Sequence, residues 1–385
     1  MSSLFAFNED ECRALAEAHG TPCFAYSAAV AAAGFQALRT VLPPRVRLAY
    51  AVKANPHSSL LRCFAGLGAS FDCASIGELE RVEALGLPTG RTFFAGPGKR
   101  EAELAKALAL GVRIQAEGWE DLARLDALAT GEVVVNLRVH PAFDIDEGNR
   151  IIGGSGPSAF GVDEEDVPAL LARAGGLRHV RIRGLHVFAA SNQRDAAKLL
   201  AIHGAVLDLA KRLHGAHGLP LEQIDLGGGL GLPYAPDEAP LDLVHLGQGL
   251  SHLLAAHPWF RGELILEPGR FLAGPCGVYL ARVVRIKESR GVRFAILEGG
   301  INHLIRPLLT DQAFPVKAVG RSKGDVPYTL AGPLCTSLDR LGDVALPELA
   351  PGDLLALGQT GAYGLNEGMT HFLSHPVPPE VWVAG

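Results

Sequence analysis

Four groups of residues in this chain have types that could do chemistry together: Lys53, the triplet Gly227-Gly228-Gly229, Glu267 and Arg270. An amine condenses with an aldehyde, glycine amides with an arginine cradle a phosphate, and a carboxylate holds the protonated nitrogen of an aromatic ring. Singly, each has a plain explanation: a solvated lysine, a flexible turn, a surface ion pair. Together they are the donor set that a phosphorylated aldehyde cofactor needs, provided that one set of elements can present all four.

Period and punctuation supply those elements. β-Rich runs span Val46 to Val52, Ala69 to Asp72, Thr92 to Phe94, Val112 to Gln115, Val133 to Val139, Arg181 to Phe188, Gln223 to Leu226 and Glu263 to Glu267. Stretches with helical spacing, such as Ile76 to Leu85, Glu101 to Leu110 and Asp195 to His214, lie between them. Eight strands alternating with helices over roughly 220 residues predict an α/β chain that begins as a parallel (β/α)8 TIM-like barrel, not as an open sheet with a glycine fingerprint at its first turn. In such a barrel the chemistry gathers at the carboxyl ends of the strands. Those ends carry Lys53, Asp72, Arg138, His186 with Phe188 and Ser191, Gly228 with Gly229, and Glu267 with Gly269 and Arg270. After Pro268 the runs Val278 to Ile286, Val292 to Leu297, Tyr328 to Ala331 and Leu354 to Leu357 sit among Gly and Pro punctuators, which predicts a mainly antiparallel β domain. The boundaries read 24–267 for the barrel and 268–385 for the β domain, with residues 1–23, including an amphipathic helix from Glu9 to His19, able to pack on the latter.

Composition removes other classes. The 385 residues are 48% apolar and 20% charged, and 41 acids against 35 bases leave a net charge of −6. This is no disordered chain, and it has no basic surplus for nucleic acid. No apolar run reaches the ~18 residues of a membrane span, and Glu9, Asp10 and Glu11 stand where a targeting segment would be basic, so a cytoplasmic protein is expected. The six cysteines form no C-x-x-C pair and the histidine pairs lack acidic or thiol companions, so neither a disulfide framework nor a metal site is expected. The 46 glycines follow no collagen period and must serve turns or backbone that approaches a ligand.

At the level of whole motifs the chain resembles the fold-type III pyridoxal-phosphate decarboxylases, which include the ornithine, arginine and diaminopimelate decarboxylases. The resemblance rests on Tyr50-Ala-Val-Lys-Ala-Asn55, Phe71-Asp-Cys-Ala-Ser75, Asp225-Leu-Gly-Gly-Gly229, Glu267-Pro-Gly-Arg270, Gly332-Pro-Leu-Cys335 with Asp339, and Gly361-Ala-Tyr-Gly364, in that order along nearly the whole chain. It implies a barrel followed by a β domain, pyridoxal 5'-phosphate as cofactor, and a head-to-tail homodimer in which the Cys335 segment of one subunit completes the site of the other. It makes Lys53 the Schiff-base lysine and places Gly228, Gly229, Ser191, Arg270 and Tyr363 at the phosphate. Glu267 pairs with the pyridine nitrogen, and Asp72, Arg138 and Gly269 stand at the same cofactor. Cys335 becomes the proton donor once carbon dioxide has left.

Some positions depart from the family pattern. The histidine usual over the cofactor ring, three residues before the phosphate-binding serine, is Phe188; an aromatic ring still stacks but cannot ionise, and His186 shares its strand face. The acid that follows the site cysteine in the basic-diamine decarboxylases, and receives the distal ammonium, is Thr336, which cannot neutralise a cation. Ile301-Asn-His-Leu-Ile-Arg306-Pro307 resembles the segment that presents an arginine to diaminopimelate, although its terminal tyrosine is Thr310. With substrate contacts at Arg270, Arg306, Thr336 and Tyr363, an arginine retained and an acid lost imply an anionic or amide-bearing distal group. The plain alternative for Arg306 is a structural ion pair.

The pattern looks most like the secondary-metabolism branch of the family. Its members decarboxylate acylated amino acids, such as citryl-diaminopropionate in siderophore assembly, or glutamate on an acyl carrier protein. The charge of −6 offers an acidic carrier no basic surplus, which favours the free small molecule. Diaminopimelate or a basic amino acid is the alternative substrate. Two further readings lie outside: a racemase on the same barrel, against which Glu267 and the Cys335 motif argue, and a non-catalytic regulator, against which the retained Lys53, Glu267, Arg270 and Cys335 argue.

Overall fold

A computed structural model describes residues 4–143, 156–321 and 324–384 of the chain, which divides into two units. The first comprises Phe35–Gly231 and Leu241–Gly269. Its barrel strands are β1 (Val46–Ala51), β2 (Ser70–Cys73), β3 (Thr92–Phe94), β4 (Arg113–Ala116), β5 (Val133–His140), β6 (Val180–His186), β7 (Gln223–Asp225) and β8 (Glu263–Leu266), and a two-residue strand, Val162–Asp163, adds to β5. All run parallel, and they close into a ring because β4 pairs with β5 through Ile114 and Val135 while β8 pairs with β1 through Leu264 and Val46. Strands covered on both faces are expected to be nearly continuous in apolar residues, as Ala49, Phe93 and Ile265 illustrate in one buried cluster. The helices between them start at side-chain caps: Ser75 accepts from the Glu78 amide, Asp195 from Ala197 and Lys198, and Asp242 from His245.

The second unit comprises Met1–Gly34, Leu232–Pro240 and Arg270–Gly385. Its sheet is built on the long strand Gly277–Ser289, which pairs antiparallel with Cys23–Ser27, Val292–Leu297 and Leu354–Gly358. Two pairings are parallel, Val292–Leu297 with Val326–Ala331 and Cys23–Ser27 with Glu380–Val383, so the sheet is mainly antiparallel.

The sequence boundary at residue 24 differs from this division for a physical reason. Cys23 and Ala25 are packed with Val278, Leu280 and Ala356, so Cys23–Ser27 is a strand of the β sheet and not a lead-in to the barrel. Cys12 and Ala16, from the helix Glu9–His19, lie in the same cluster. No helix among the described residues is long and apolar enough to cross a membrane.

Candidate functional site

Lys53 stands on a single 3-10 turn, Val52–Ala54, directly after β1, and its Nζ lies 3.1 Å from Asp72 Oδ2 in β2. The lysine side chain is 35% exposed and the aspartate fully buried, so the amine is reachable while its counter-charge is fixed inside the barrel. Gly269 lets the chain after β8 pass this turn: a Cβ there would stand 2.9 Å from Ala54 Cβ and 3.1 Å from Ala51 Cβ. His186 ends β6 with Nε2 3.7 Å from Glu267 Oε2, while the Phe188 ring centre lies 5.5 Å from Lys53 Nζ. The histidine thus faces the carboxylate and the phenyl ring faces the amine.

Three buried carboxyls, Asp72, Asp225 and Glu267, share this end of the barrel. Burial raises the pKa of Asp72 and of Asp225, and neighbouring Glu267 raises both further. Glu267 moves the other way. Burial alone would raise it, but His186, Lys53 and a hydrogen bond with Asp225 hold it down to about 2. Its Oε1 is buried and has no hydrogen-bond partner among the described residues, which makes it a seat for a cationic N–H. The ligand atoms of His186, Asp225 and Glu267 lie within 4.8 Å of one another, a spacing that also suits a metal ion. However, Asp225 already accepts from the Gly227 amide at 3.0 Å and from Gln115 Nε2 at 2.8 Å.

The glycine triplet after β7 has a packing reason that sequence reading did not supply. A Cβ on Gly228 would come within 2.6 Å of the Glu267 carbonyl oxygen, and one on Gly229, where φ is +93°, within 2.7 Å of Ala190 Cβ. The segment holding Ser191 is stitched to this turn by bonds from the Gln193 amide to the Gly229 carbonyl (2.8 Å) and from the Gly231 amide to the Gln193 carbonyl (2.9 Å). Among the described residues, the amides of Gly228 and Gly229 have no acceptor, so they can receive an anion. Arg138 is already engaged, with Nη1 2.9 Å from Glu117 Oε1 and its guanidinium 4.5 Å over the Phe160 ring. A reachable amine, unoccupied amides and a buried carboxylate with one open oxygen fit the aldehyde, phosphate and ring nitrogen of pyridoxal 5'-phosphate.

The second unit carries the remaining predicted residues. Arg270 opens the helix Arg270–Ala273, donates to Tyr234 Oη at 2.9 Å and lies 4.6 Å over the Tyr363 ring. Tyr363 sits at φ +52° between Gly361 and Gly364, a left-handed conformation uncommon for a bulky residue. Arg306, 4% exposed, donates through Nη2 to Gln312 Oε1 at 2.6 Å and lies 4.8 Å over the Tyr234 ring. Its Nε has no partner and no acid forms an ion pair with it among the described residues. Thr310, where a tyrosine was expected, turns its hydroxyl back onto the Arg306 carbonyl at 2.9 Å.

Cys335 is exposed, and its loop is held by buried Asp339, whose Oδ1 accepts from Ile301 N–H at 2.8 Å and Oδ2 from Leu334 N–H at 2.7 Å. Gly300 and Gly332 leave room for that carboxylate, since a Cβ on either would overlap it. Thr336 spends its hydroxyl on the Leu338 amide at 3.3 Å. Sequence reading missed Tyr234 and Gln312.

Comparison with known proteins identifies the family. The family described as pyridoxal-dependent decarboxylase, pyridoxal binding domain, matches residues 30–274. The chain is 31% identical over 392 residues to an L-glutamyl-[BtrI acyl-carrier protein] decarboxylase of Niallia circulans, covering 97% of this chain and 91% of that one. It is 36% identical over 359 residues to a diaminopimelate decarboxylase of Neisseria meningitidis serogroup A, covering 91% and 86%. The crystal structure of diaminopimelate decarboxylase from Helicobacter pylori complexed with L-lysine superposes with a TM-score of 0.88 at 27% identity, over 96% of this chain and 93% of the other. With the closed barrel, the lysine at its mouth and the family match all in agreement, the chain belongs to the pyridoxal-dependent decarboxylases, carboxy-lyases that work with pyridoxal 5'-phosphate.

Proposed function

We propose that this enzyme decarboxylates an amino acid that carries a second anionic or amide-bearing group beyond the reacting carbon, with a free acylated amino acid such as citryl-diaminopropionate as its type. Arg306 carries the reading. It is a buried guanidinium with a partnerless Nε and no acid in ion-pair range among the described residues, which argues against the structural ion pair and for an anion from outside. Thr336 in place of an acid removes the anchor that an ammonium would need. A carrier-bound substrate is the second reading, supported by the similarity to the glutamyl-carrier decarboxylase.

Bound pyridoxal 5'-phosphate would supply an electron sink for the bond that breaks on release of carbon dioxide. In this reading Lys53 would hold the cofactor covalently, Glu267 would pair with its ring nitrogen, and Phe188, with His186 as its neighbour on the strand, would line its ring. Gly228, Gly229, Ser191, Arg270 and Tyr363 hold the phosphate. Cys335 delivers a proton to the product carbon. Carbon dioxide release across diaminopimelate, ornithine, lysine, arginine, glutamyl-carrier and citryl-diaminopropionate tests the proposal. Turnover is expected to favour substrates with a distal anion or amide, and fast turnover of free ornithine or lysine would sink it.

The same reading makes the enzyme a homodimer with shared sites. Its support is the exposed thiol of Cys335 in a unit that also exposes Leu308, Leu309, Leu338, Met369, Phe372 and Leu373. Sedimentation should give twice the chain mass. Mixing inactive Lys53→Ala with inactive Cys335→Ala should restore about one quarter of the wild-type sites, since random exchange of subunits makes one intact site in each mixed dimer. No recovery after verified exchange would refute the sharing.

A further inference from the structure

We propose that Asp225 is a positioning residue that stands in the barrel as a neutral carboxylic acid and donates its hydrogen to Glu267, fixing Glu267 as the anion of the site. The inference rests on the reading that Glu267 meets the ring nitrogen. No role is otherwise given to Asp225 beyond opening the glycine segment.

A count of charges leads there. Asp72, Asp225 and Glu267 are 0%, 0% and 2% exposed, and two basic side chains accompany them. Lys53 faces Asp72 at 3.1 Å and His186 faces Glu267 at 3.7 Å. Among the described residues Asp225 is left with neutral donors only, the Gly227 amide on Oδ1 at 3.0 Å and Gln115 Nε2 on Oδ2 at 2.8 Å. A third negative charge without a counter-ion, buried and with a carboxylate oxygen within 4.8 Å of one on Glu267, is strongly opposed. One proton held between the two carboxyls removes the conflict, and it belongs on Asp225, which meets no basic side chain among the described residues. The directions of the acidities agree: burial and Glu267 push Asp225 well above the ordinary carboxylate range, whereas Glu267 is held low.

Asparagine imitates the neutral acid. Its amide can donate to Glu267, and Gln115 can turn its Oε1, which lacks a partner, toward it. Leucine fills similar space and donates nothing.

Infrared difference spectra of the holoenzyme labelled with carboxyl-13C aspartate test the proton directly. A neutral-acid C=O band should persist at pH 8 and vanish in Asp225→Asn. Asp72 and Asp339 are also raised, and this subtraction separates them from Asp225. A second readout is thermal melting of the holoenzymes between pH 5 and 8. The unfolded chain ionises Asp225 near ~3.9, so a folded pKa raised above that value gives stability that is full below it and lost as pH rises. Asp225→Asn lacks this loss, so its melting temperature should gain on wild type steadily with pH. An unchanged band in Asp225→Asn, or a melting difference that is flat with pH, overturns the proposal. Cofactor dissociation separates it from the reading beneath. Asp225→Leu should bind pyridoxal 5'-phosphate at least ~10-fold more weakly than Asp225→Asn, while normal binding by Glu267→Ala would overturn the ring-nitrogen role and leave the proton on Asp225 standing.

Discussion

Replacing Lys53 by alanine should leave a folded protein that shows no cofactor absorbance in the visible after dialysis and decarboxylates on the order of 10³–10⁶-fold more slowly, the scale seen when a covalent catalytic group is removed. The expectation follows from what surrounds the amine. Lys53 is the one lysine at the carboxyl ends of the barrel strands that pairs with Asp72, and its side chain is partly open while Asp72 is not. The variant also has an electrostatic signature. Without Lys53, Asp72 keeps only the causes that raise it besides a weaker pull from His186, so it holds its proton to still higher pH. A raised folded pKa costs stability as pH climbs above the unfolded value near ~3.9, so the melting temperature of Lys53→Ala should fall further behind wild type at pH 8 than at pH 5. Visible absorbance that survives in Lys53→Ala would remove the covalent role. A pH-independent melting gap would remove the coupling to Asp72.

How much of this was legible in the chain depends on the range of each interaction. Strand periodicity and the rule that barrel sites gather at strand ends were local signals, and they placed Lys53, Asp72, His186 and Glu267 in one unit. The ends of the elements were less legible: Val52 lies in a 3-10 turn, and Phe188 and Glu267 lie just beyond β6 and β8. The barrel start at residue 24 cut through the strand Cys23–Ser27, because its partner strand begins at Gly277 and nothing local to residue 24 reports a pairing so far along the chain. The same limit applies to Gln115, which reads as the end of a strand until β7 brings Asp225 against it. Arg138 was read as a cofactor contact from its place at a strand end, and its pairing with Glu117 becomes visible only when β4 and β5 lie side by side.

Arg306→Ala should lower kcat/KM for a substrate with a distal anion by about 10²-fold, the worth of a charge-assisted hydrogen bond in a dry site, and leave a distally cationic competitor nearly unaffected. The energetics of the free enzyme point the same way. Burial lowers the pKa of the Arg306 guanidinium and Arg270 adds repulsion, while Tyr234 and Glu367 compensate only in part. Glu367 is itself raised by burial, which weakens it as a counter-charge. An arginine kept charged in such a place gains more from an arriving carboxylate than one already paired. Stability discriminates the two explanations of this residue. A structural ion pair would cost several degrees of melting temperature when cut, but here truncation removes an unbalanced charge and should cost little beyond the Gln312 bond. Arg306→Lys keeps the charge without the planar fork and should recover only part of the loss. Equal losses for anionic and cationic substrates would show that Arg306 supports the fold around the site and does not read the substrate.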